Sequence, residues 1–102
     1  MFDFTLKIYG ELLTNLRKAG YKFQRIEDYI QAPLDKVVLL RHDVDLRSYS
    51  ALRLARFEAR LGIKSTYYFR VVKQSFNPRI IRDIVKLGHE VGYHYEDLAT
   101  HD

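Results

Sequence analysis

The chain has 102 residues, of which 47% are hydrophobic and 29% charged, so its composition is that of one globular domain rather than of a disordered or fibrous segment. The net charge is +4, but the Lys and Arg residues are spread along the whole chain and alternate with acidic residues. This distribution argues against a nucleic-acid surface and indicates an ordinary solvated exterior. No apolar run approaches the ~18 residues of a membrane span, and the absence of cysteine excludes disulfides and thiolate metal sites. Because no signal peptide is seen, we expect a cytoplasmic protein.

Three helices are predicted from apolar residues that recur every three or four positions. The first covers 4–19 and the second 47–61, and each is followed by a glycine that can end it. The third follows Asn77 and Pro78, an N-cap residue and a first-turn proline, and stops before Gly88.

Short runs of β-branched and aromatic residues predict three strands, at 37–41, 65–72 and 90–95. Strands and helices that alternate with short connections are typical of parallel βαβ units. We therefore expect an α/β fold with one domain, made of a helical extension over 1–33 and a βαβαβ core over 34–102.

Two short blocks contain or adjoin all four histidines: RHDVD at 41–45 and GHEVGYHYED at 88–97. Each block coincides with a predicted strand and its exit. The carboxyl ends of parallel strands form the edge where α/β proteins gather their reactive groups. The position of the blocks therefore favours a functional site at this edge.

Alternation of side chains along a strand places Asp43 and Asp45 on one side of the first strand, and His94 and Glu96 on one side of the third. Such oxygen and nitrogen ligands suit Zn²⁺ or another divalent ion, and a free carboxylate could act as a general base. Two other interpretations stay open. The aspartates could cap the following helix, and His94 could be a histidine of the core.

For the other two histidines of the blocks, His42 and His89, we expect structural roles. His42 alternates with the aspartates, so we expect it to face away from them and to pack. His89 directly follows a helix-ending glycine, and we expect a structural role or an interaction with the helix dipole.

In order and spacing, VVLLRHDVD at 37–45, GIKSTYYFR at 62–70 and LGHEVGYHYEDL at 87–98 resemble the polysaccharide deacetylase family, the NodB-homology domain of carbohydrate esterase family 4. The likeness is to the divergent branch that carries HDVD in its first motif. Family members fold as a distorted (β/α) barrel and remove acetyl groups from N-acetylated sugars with a divalent metal, often zinc. The resemblance implies the same fold, cofactor and substrate class here.

The first motif implies Asp43 as the general base and Asp45 as a metal ligand. The second implies His94 as a further ligand, although the position of the family's second histidine falls on Leu98, which cannot bind a metal. Glu96 or His101 could replace it, and strand alternation favours Glu96. From its position at the end of the second strand, Arg70 is expected to contact a substrate oxygen.

The expected function is metal-dependent hydrolysis of an N-acetyl group on a carbohydrate. The alternative is a non-catalytic α/β relic of this fold that binds a carbohydrate or a protein. A full barrel needs ~250 residues, so we expect the chain to hold about the first three strands, either as the N-terminal part of a deacetylase or as a naturally short relative. We expect it to be weakly active or inactive by itself. The open sheet edge predicts a homo-oligomer or a missing C-terminal half.

Overall fold

A computed structural model describes residues 4–44, 48–70 and 77–94 of the chain. The helices are α1 (Phe4–Lys18), α2 (Ile26–Gln31), α3 (Ser48–Arg60) and α4 (Pro78–Lys86). The strands are β1 (Lys22–Gln24), β2 (Val37–Leu39), β3 (Arg41–Val44), β4 (Thr66–Arg70) and β5 (Glu90–His94). All pairings among these strands are parallel, so the predicted α/β class is confirmed.

The larger sheet has three strands in the order β3-β4-β5, which is also their order in the chain. Helix α3 connects β3 to β4, and α4 lies between β4 and β5 in the chain. The register pairs Asp43 with Tyr68, Tyr68 with Gly92, and Arg70 with His94. Neighbouring parallel strands therefore end at one edge, as the alternation of elements predicts.

The smaller sheet, β1-β2, is absent from the sequence prediction. The single strand expected over 37–41 is in fact two strands, since β2 pairs with β1 while β3 pairs with β4. The change of partner occurs at Leu40, whose carbonyl accepts a hydrogen bond from the N–H of Thr66 at 2.9 Å. The region expected to be a helical extension thus also contains a strand. A continuous apolar run predicts strand conformation but does not specify the partner strand.

Helix ends follow their local sequence signals. The side chain of Asn77 caps α4 by accepting hydrogen bonds from the backbone N–H groups of Arg79 and Ile80, at 3.1 and 3.3 Å. Gly62 and Gly88 follow α3 and α4 with φ of 74° and 99°, a left-handed conformation that side chains with a Cβ disfavour. The predicted cap and stops are therefore confirmed.

The main core lies between the three-stranded sheet and helices α3 and α4. Its buried members come from β3, β4 and the two helices: Val44, Ala51, Leu52, Ala55, Tyr67, Phe69, Ile80, Ile81 and Ile84. This packing fixes the sheet against α3 and so determines which residues of β3 reach the surface. Among the described residues, no helix combines the length and apolar character needed to cross a bilayer.

Candidate functional site

The two faces of β3 have different surroundings. On one face, Arg41 and Asp43 keep about half of their side chains exposed, at 51% and 47%. On the other, Val44 is buried and the side chain of His42 is 21% exposed. This is the predicted alternation. An open cleft of about 420 Å³ lies between β3 and the first turns of α3, lined by Arg41, His42, Asp43, Val44, Ser50, Ala51, Leu54 and Tyr67.

Helix α3 carries a carboxylate on its buried face. Ala51, Leu52 and Ala55 occupy that face, and Glu58 follows Ala55 by three positions. Glu58 is fully buried, with 0% of its surface exposed. Removing a carboxylate from water costs several kcal/mol unless donors replace the lost hydration. The fold must therefore supply hydrogen-bond donors at this point.

Each carboxylate oxygen of Glu58 accepts two hydrogen bonds. Oε1 accepts from the hydroxyls of Ser65 and Tyr67, both at 2.6 Å. Oε2 accepts from the hydroxyl of Tyr9 at 2.6 Å and from Nε2 of His42 at 2.7 Å. An ionised carboxylate has about four acceptor positions, so these four donors saturate it. We call these five residues the Glu58 cluster, and they join α1, β3, α3 and β4.

Protonation in the cluster follows from this arrangement. Burial by itself would raise the pKa of Glu58, but the hydrogen bonds from His42, Ser65, Tyr67 and Tyr9 outweigh burial, and the net pKa is lowered. Burial raises the pKa of the Tyr9 phenol far above its usual value, and the hydrogen bond to Glu58 adds to this. Burial and the negative charge of Glu58 do the same for Tyr67. At neutral pH the cluster thus holds one carboxylate and two neutral phenols.

His89 lies behind the cluster and is 1% exposed. Its Nδ1 accepts the backbone N–H of Ser65 at 3.0 Å. The carbonyl oxygen of Ala55 can only accept, so Nε2 of His89 donates to it at 2.9 Å. Both ring nitrogens are therefore used within the fold. These contacts support the structural role expected for His89.

The opposite face of the sheet carries a second set of side chains, the open-face group of Arg41, Asp43, Tyr68 and Gly92. Nε of Arg41 donates to Oδ1 of Asp43 at 3.0 Å, and the guanidinium carbon lies 4.3 Å from the centre of the Tyr68 ring. The ring covers Gly92, where an added Cβ would stand 2.7 Å from the ring carbon Cδ1. Glycine is therefore required for the ring to lie across β5.

Of the predicted site residues, Asp43 is next to last in β3, Arg70 ends β4 and His94 ends β5. Arg70 and His94 are paired in the register. Asp45 and Glu96 fall outside the described residues. Within the part of the chain that the structure describes, no three His, Asp or Glu side chains come together as a metal site. The ligand set of Asp45, His94 and Glu96 therefore stays a prediction.

The sequence analysis did not identify Glu58, although the sequence contains a signal for it. In a helix with Ala51 and Ala55 on its buried face, position 58 lies on that same face, and a charged residue there is unusual. The partners are harder to find because Tyr9 is 49 residues from Glu58. His42 was expected only to pack. It does contact the ring of Tyr67, at 4.7 Å between centroids, but it also donates to the buried carboxylate.

Comparison with protein-family models, with curated proteins and with solved structures finds no match to this chain. The likeness to the deacetylase family therefore rests on the quoted motifs, and functional arguments rest on this chain's own residues.

Proposed function

We propose that the chain belongs to a metal-dependent hydrolase that removes acetyl groups from an N-acetylated carbohydrate, built on a distorted (β/α) barrel of NodB-homology type. The observation that supports this proposal is the strand order. Asp43, Arg70 and His94 lie at or next to the carboxyl ends of three neighbouring parallel strands. In parallel α/β proteins, that edge is where catalytic side chains collect.

The cleft beside β3 offers a place for one sugar unit. Asp43 and Ser50 line it with polar atoms, while Val44, Ala51 and Leu54 provide apolar surface. Sugars present both hydroxyl edges and apolar faces, so a mixed lining of this kind suits them. The half-exposed Asp43 is also accessible to water, as a general base must be.

In this proposal Asp43 takes a proton from the water that attacks the acetamide carbon. Asp45, His94 and Glu96 would hold a divalent ion, with zinc suited to their nitrogen and oxygen donors. The ion supplies polarisation of the acetamide carbonyl when bound. Arg70 would contact an oxygen of the substrate. The bond between carbonyl carbon and nitrogen then breaks, and the amine leaves with an added proton.

Metal content measured by elemental analysis tests the proposal. We expect near-stoichiometric zinc or another divalent ion in the purified parent chain and its loss in His94→Ala. Asp35→Asn, which changes an exposed carboxylate away from this edge, is the matched control and should retain the ion. Absence of metal from the parent, even after reconstitution with zinc, would contradict the proposal.

A second assay addresses the chemistry. Acetate released from an N-acetylglucosamine oligomer over long incubation should exceed a protein-free blank and should disappear in Asp43→Asn. Because Asp43→Asn retains Asp45 and His94, metal content should persist in that variant. Loss of activity with retained metal would support the role of Asp43 as base.

The alternative is a non-catalytic binding module, and one observation favours it. Oδ1 of Asp43 already accepts a hydrogen bond from Nε of Arg41 at 3.0 Å, so this oxygen is engaged within the chain. Binding of the same oligomer, measured by calorimetry with and without a chelator, separates the two. A binding module should bind equally well in both conditions and release no acetate.

A further inference from the structure

His42 is the member of the Glu58 cluster that reaches the cleft. Its side chain is 21% exposed, and it lines the cleft together with Asp43 on the next position of β3. Tyr67 also lines the cleft, but its hydroxyl is committed to Glu58 and the residue is fully buried. The imidazole of His42 therefore connects buried Glu58 to the cleft through a single hydrogen bond.

Glu58 fixes the tautomer of this imidazole. An ionised carboxylate only accepts hydrogen bonds, so Nε2 of His42, at 2.7 Å from Oε2, carries its hydrogen. Nδ1 of a neutral imidazole then has a free lone pair. Within residues 4–44, 48–70 and 77–94, the side-chain hydrogen bonds of His42 involve Nε2 alone.

Aromatic contacts fix the orientation of the ring. Tyr67 lies against one side, with centroids 4.7 Å apart, and Tyr9 meets the ring edge-on at 6.2 Å. Together with the hydrogen bond to Glu58, these contacts hold the imidazole from α1, α3 and β4. A carboxylate that orients an imidazole through one nitrogen, while the other faces a substrate, is the usual arrangement for proton transfer by histidine.

One charged group and two neutral phenols of the cluster face His42. Glu58 faces it from α3 with a full negative charge, and Tyr9 and Tyr67 face it from α1 and β4 as neutral phenols. His89, before β5, is 4.0 Å from Glu58 on the far side, with both of its nitrogens in use. A protonated His42 would therefore form an ion pair with Glu58, whose other donors in the cluster are neutral hydroxyls.

We propose that His42 is the proton donor of the cleft and that Glu58 is the residue that positions it. This deepens the proposed function, on which it rests for the choice of substrate. As the carbonyl carbon–nitrogen bond breaks, its electron pair stays on nitrogen, which takes the proton from Nδ1 of the His42 imidazolium. The hydrogen on Nε2 stays on the imidazole, which continues to donate it to Glu58, and Nδ1 of His42 regains a proton from solvent. Asp43 holds the proton of the attacking water, so the products are an amine and acetic acid.

The first test is independent of any substrate. At a pH high enough for the imidazole to be neutral, nitrogen-15 NMR of the parent chain should show His42 with hydrogen on Nε2 and none on Nδ1. Glu58→Gln should remove this preference, and Glu90→Gln should keep it, because Glu90 bonds to Thr66 and Glu27 instead. If Glu58→Gln fails to fold, Tyr9→Phe removes one donor from Oε2 and should leave the tautomer unchanged. Hydrogen on Nδ1 of the neutral imidazole in the parent would overturn the proposal.

A chemical probe tests whether the free nitrogen is reachable. Diethyl pyrocarbonate acylates unprotonated imidazole nitrogens, and mass spectrometry of peptides locates the product. We expect modification at His42 and none at His89, in line with their exposure of 21% and 1%. A His42 that stays unmodified under conditions that label an unfolded sample would overturn the proposal.

The last test compares leaving groups in His42→Gln. An alkyl amine needs a proton to leave, so the acetate released from the N-acetylglucosamine oligomer over long incubation should fall to the level of the protein-free blank. 4-Nitrophenyl acetate releases a phenolate that needs no proton, so its hydrolysis should change little. Equal losses on both would assign His42 a structural role and overturn the proposal. A parent chain with the expected tautomer and labelling but no acetate release would overturn the proposed substrate and leave the positioning of His42 by Glu58 supported.

Discussion

Glu58 and Asp43 are both carboxylates next to β3, but they lie on opposite faces of the sheet. Glu58 is fully buried and accepts four hydrogen bonds at 2.6 to 2.7 Å. Asp43 is 47% exposed, and its partner Arg41 is 51% exposed. The same functional group therefore experiences a low dielectric in one place and nearly bulk solvent in the other.

This difference indicates that the burial of a contact, more than the formal charge of its partners, determines its contribution to stability. The Arg41–Asp43 pair involves two full charges, yet solvent screening limits exposed pairs to about 0–1 kcal/mol. The contacts of Glu58 involve mostly neutral donors, yet a change there leaves buried groups without partners. Four variants or conditions can challenge this comparison.

The largest effect is expected for Glu58→Gln. The amide nitrogen replaces one of the two carboxylate oxygens with a donor, so the two hydrogen bonds at that position are lost or become repulsive, and the negative charge is removed. Breaking a buried charged network costs about 3–5 kcal/mol, and we expect the free energy of unfolding to fall by that amount. Urea denaturation followed by circular dichroism measures it. A loss below about 1 kcal/mol, the range of an exposed pair, would show that buried Glu58 contributes no more to stability than an exposed ion pair does.

The second effect concerns the open face, where Tyr68 covers Gly92. Gly92→Ala places a methyl group inside the ring's contact distance, so the ring must move away from β5. Overpacking of this kind costs about 1–3 kcal/mol. The double variant Gly92→Ala with Tyr68→Ala should recover part of the loss in urea denaturation, since the clash is then absent. Additive losses would mean that the ring is not the obstacle.

The third test uses pH. The ordinary pKa of a glutamate is about 4.5, and that of folded Glu58 is lower because of its four donors. The stabilisation is complete above 4.5. Below that pH the unfolded chain takes up a proton that the folded chain does not, so the unfolding free energy declines until the folded pKa is passed. Glu58→Gln should show a flatter decline than the parent below 4.5. Parallel curves for the two proteins would contradict the assignment.

The smallest effect is expected for Asp43→Asn. Loss of an exposed ion pair should change the free energy of unfolding by no more than about 1 kcal/mol. Salt should reduce the difference further, because it screens exposed charges. Urea denaturation at low and high salt measures both. A loss comparable to that of Glu58→Gln would show that the open face contributes far more to stability than its exposure indicates.

Most of the larger sheet could be predicted from local sequence. The cap at Asn77 and the glycine after α3 are signals whose cause lies within a few residues, and the structure confirms them. The division of 37–41 between two sheets could not be predicted, because the partner of a strand depends on residues far along the chain. For the candidate site, alternation along β3 correctly separated Asp43 from His42. The polar partner of His42 is Glu58 on α3, and the alternation of side chains along one strand carries no information about contacts with another element.

The four donors to Glu58 also differ in their separation from it along the sequence. Ser65 and Tyr67 lie seven and nine residues from Glu58, His42 sixteen and Tyr9 forty-nine. The entropic cost of closing a loop rises with the logarithm of its length, so the contacts within α3 and β4 close at the least cost. The hydrogen bond of Tyr9 therefore costs the most chain entropy to form, and it is the one that joins α1 to the buried carboxylate.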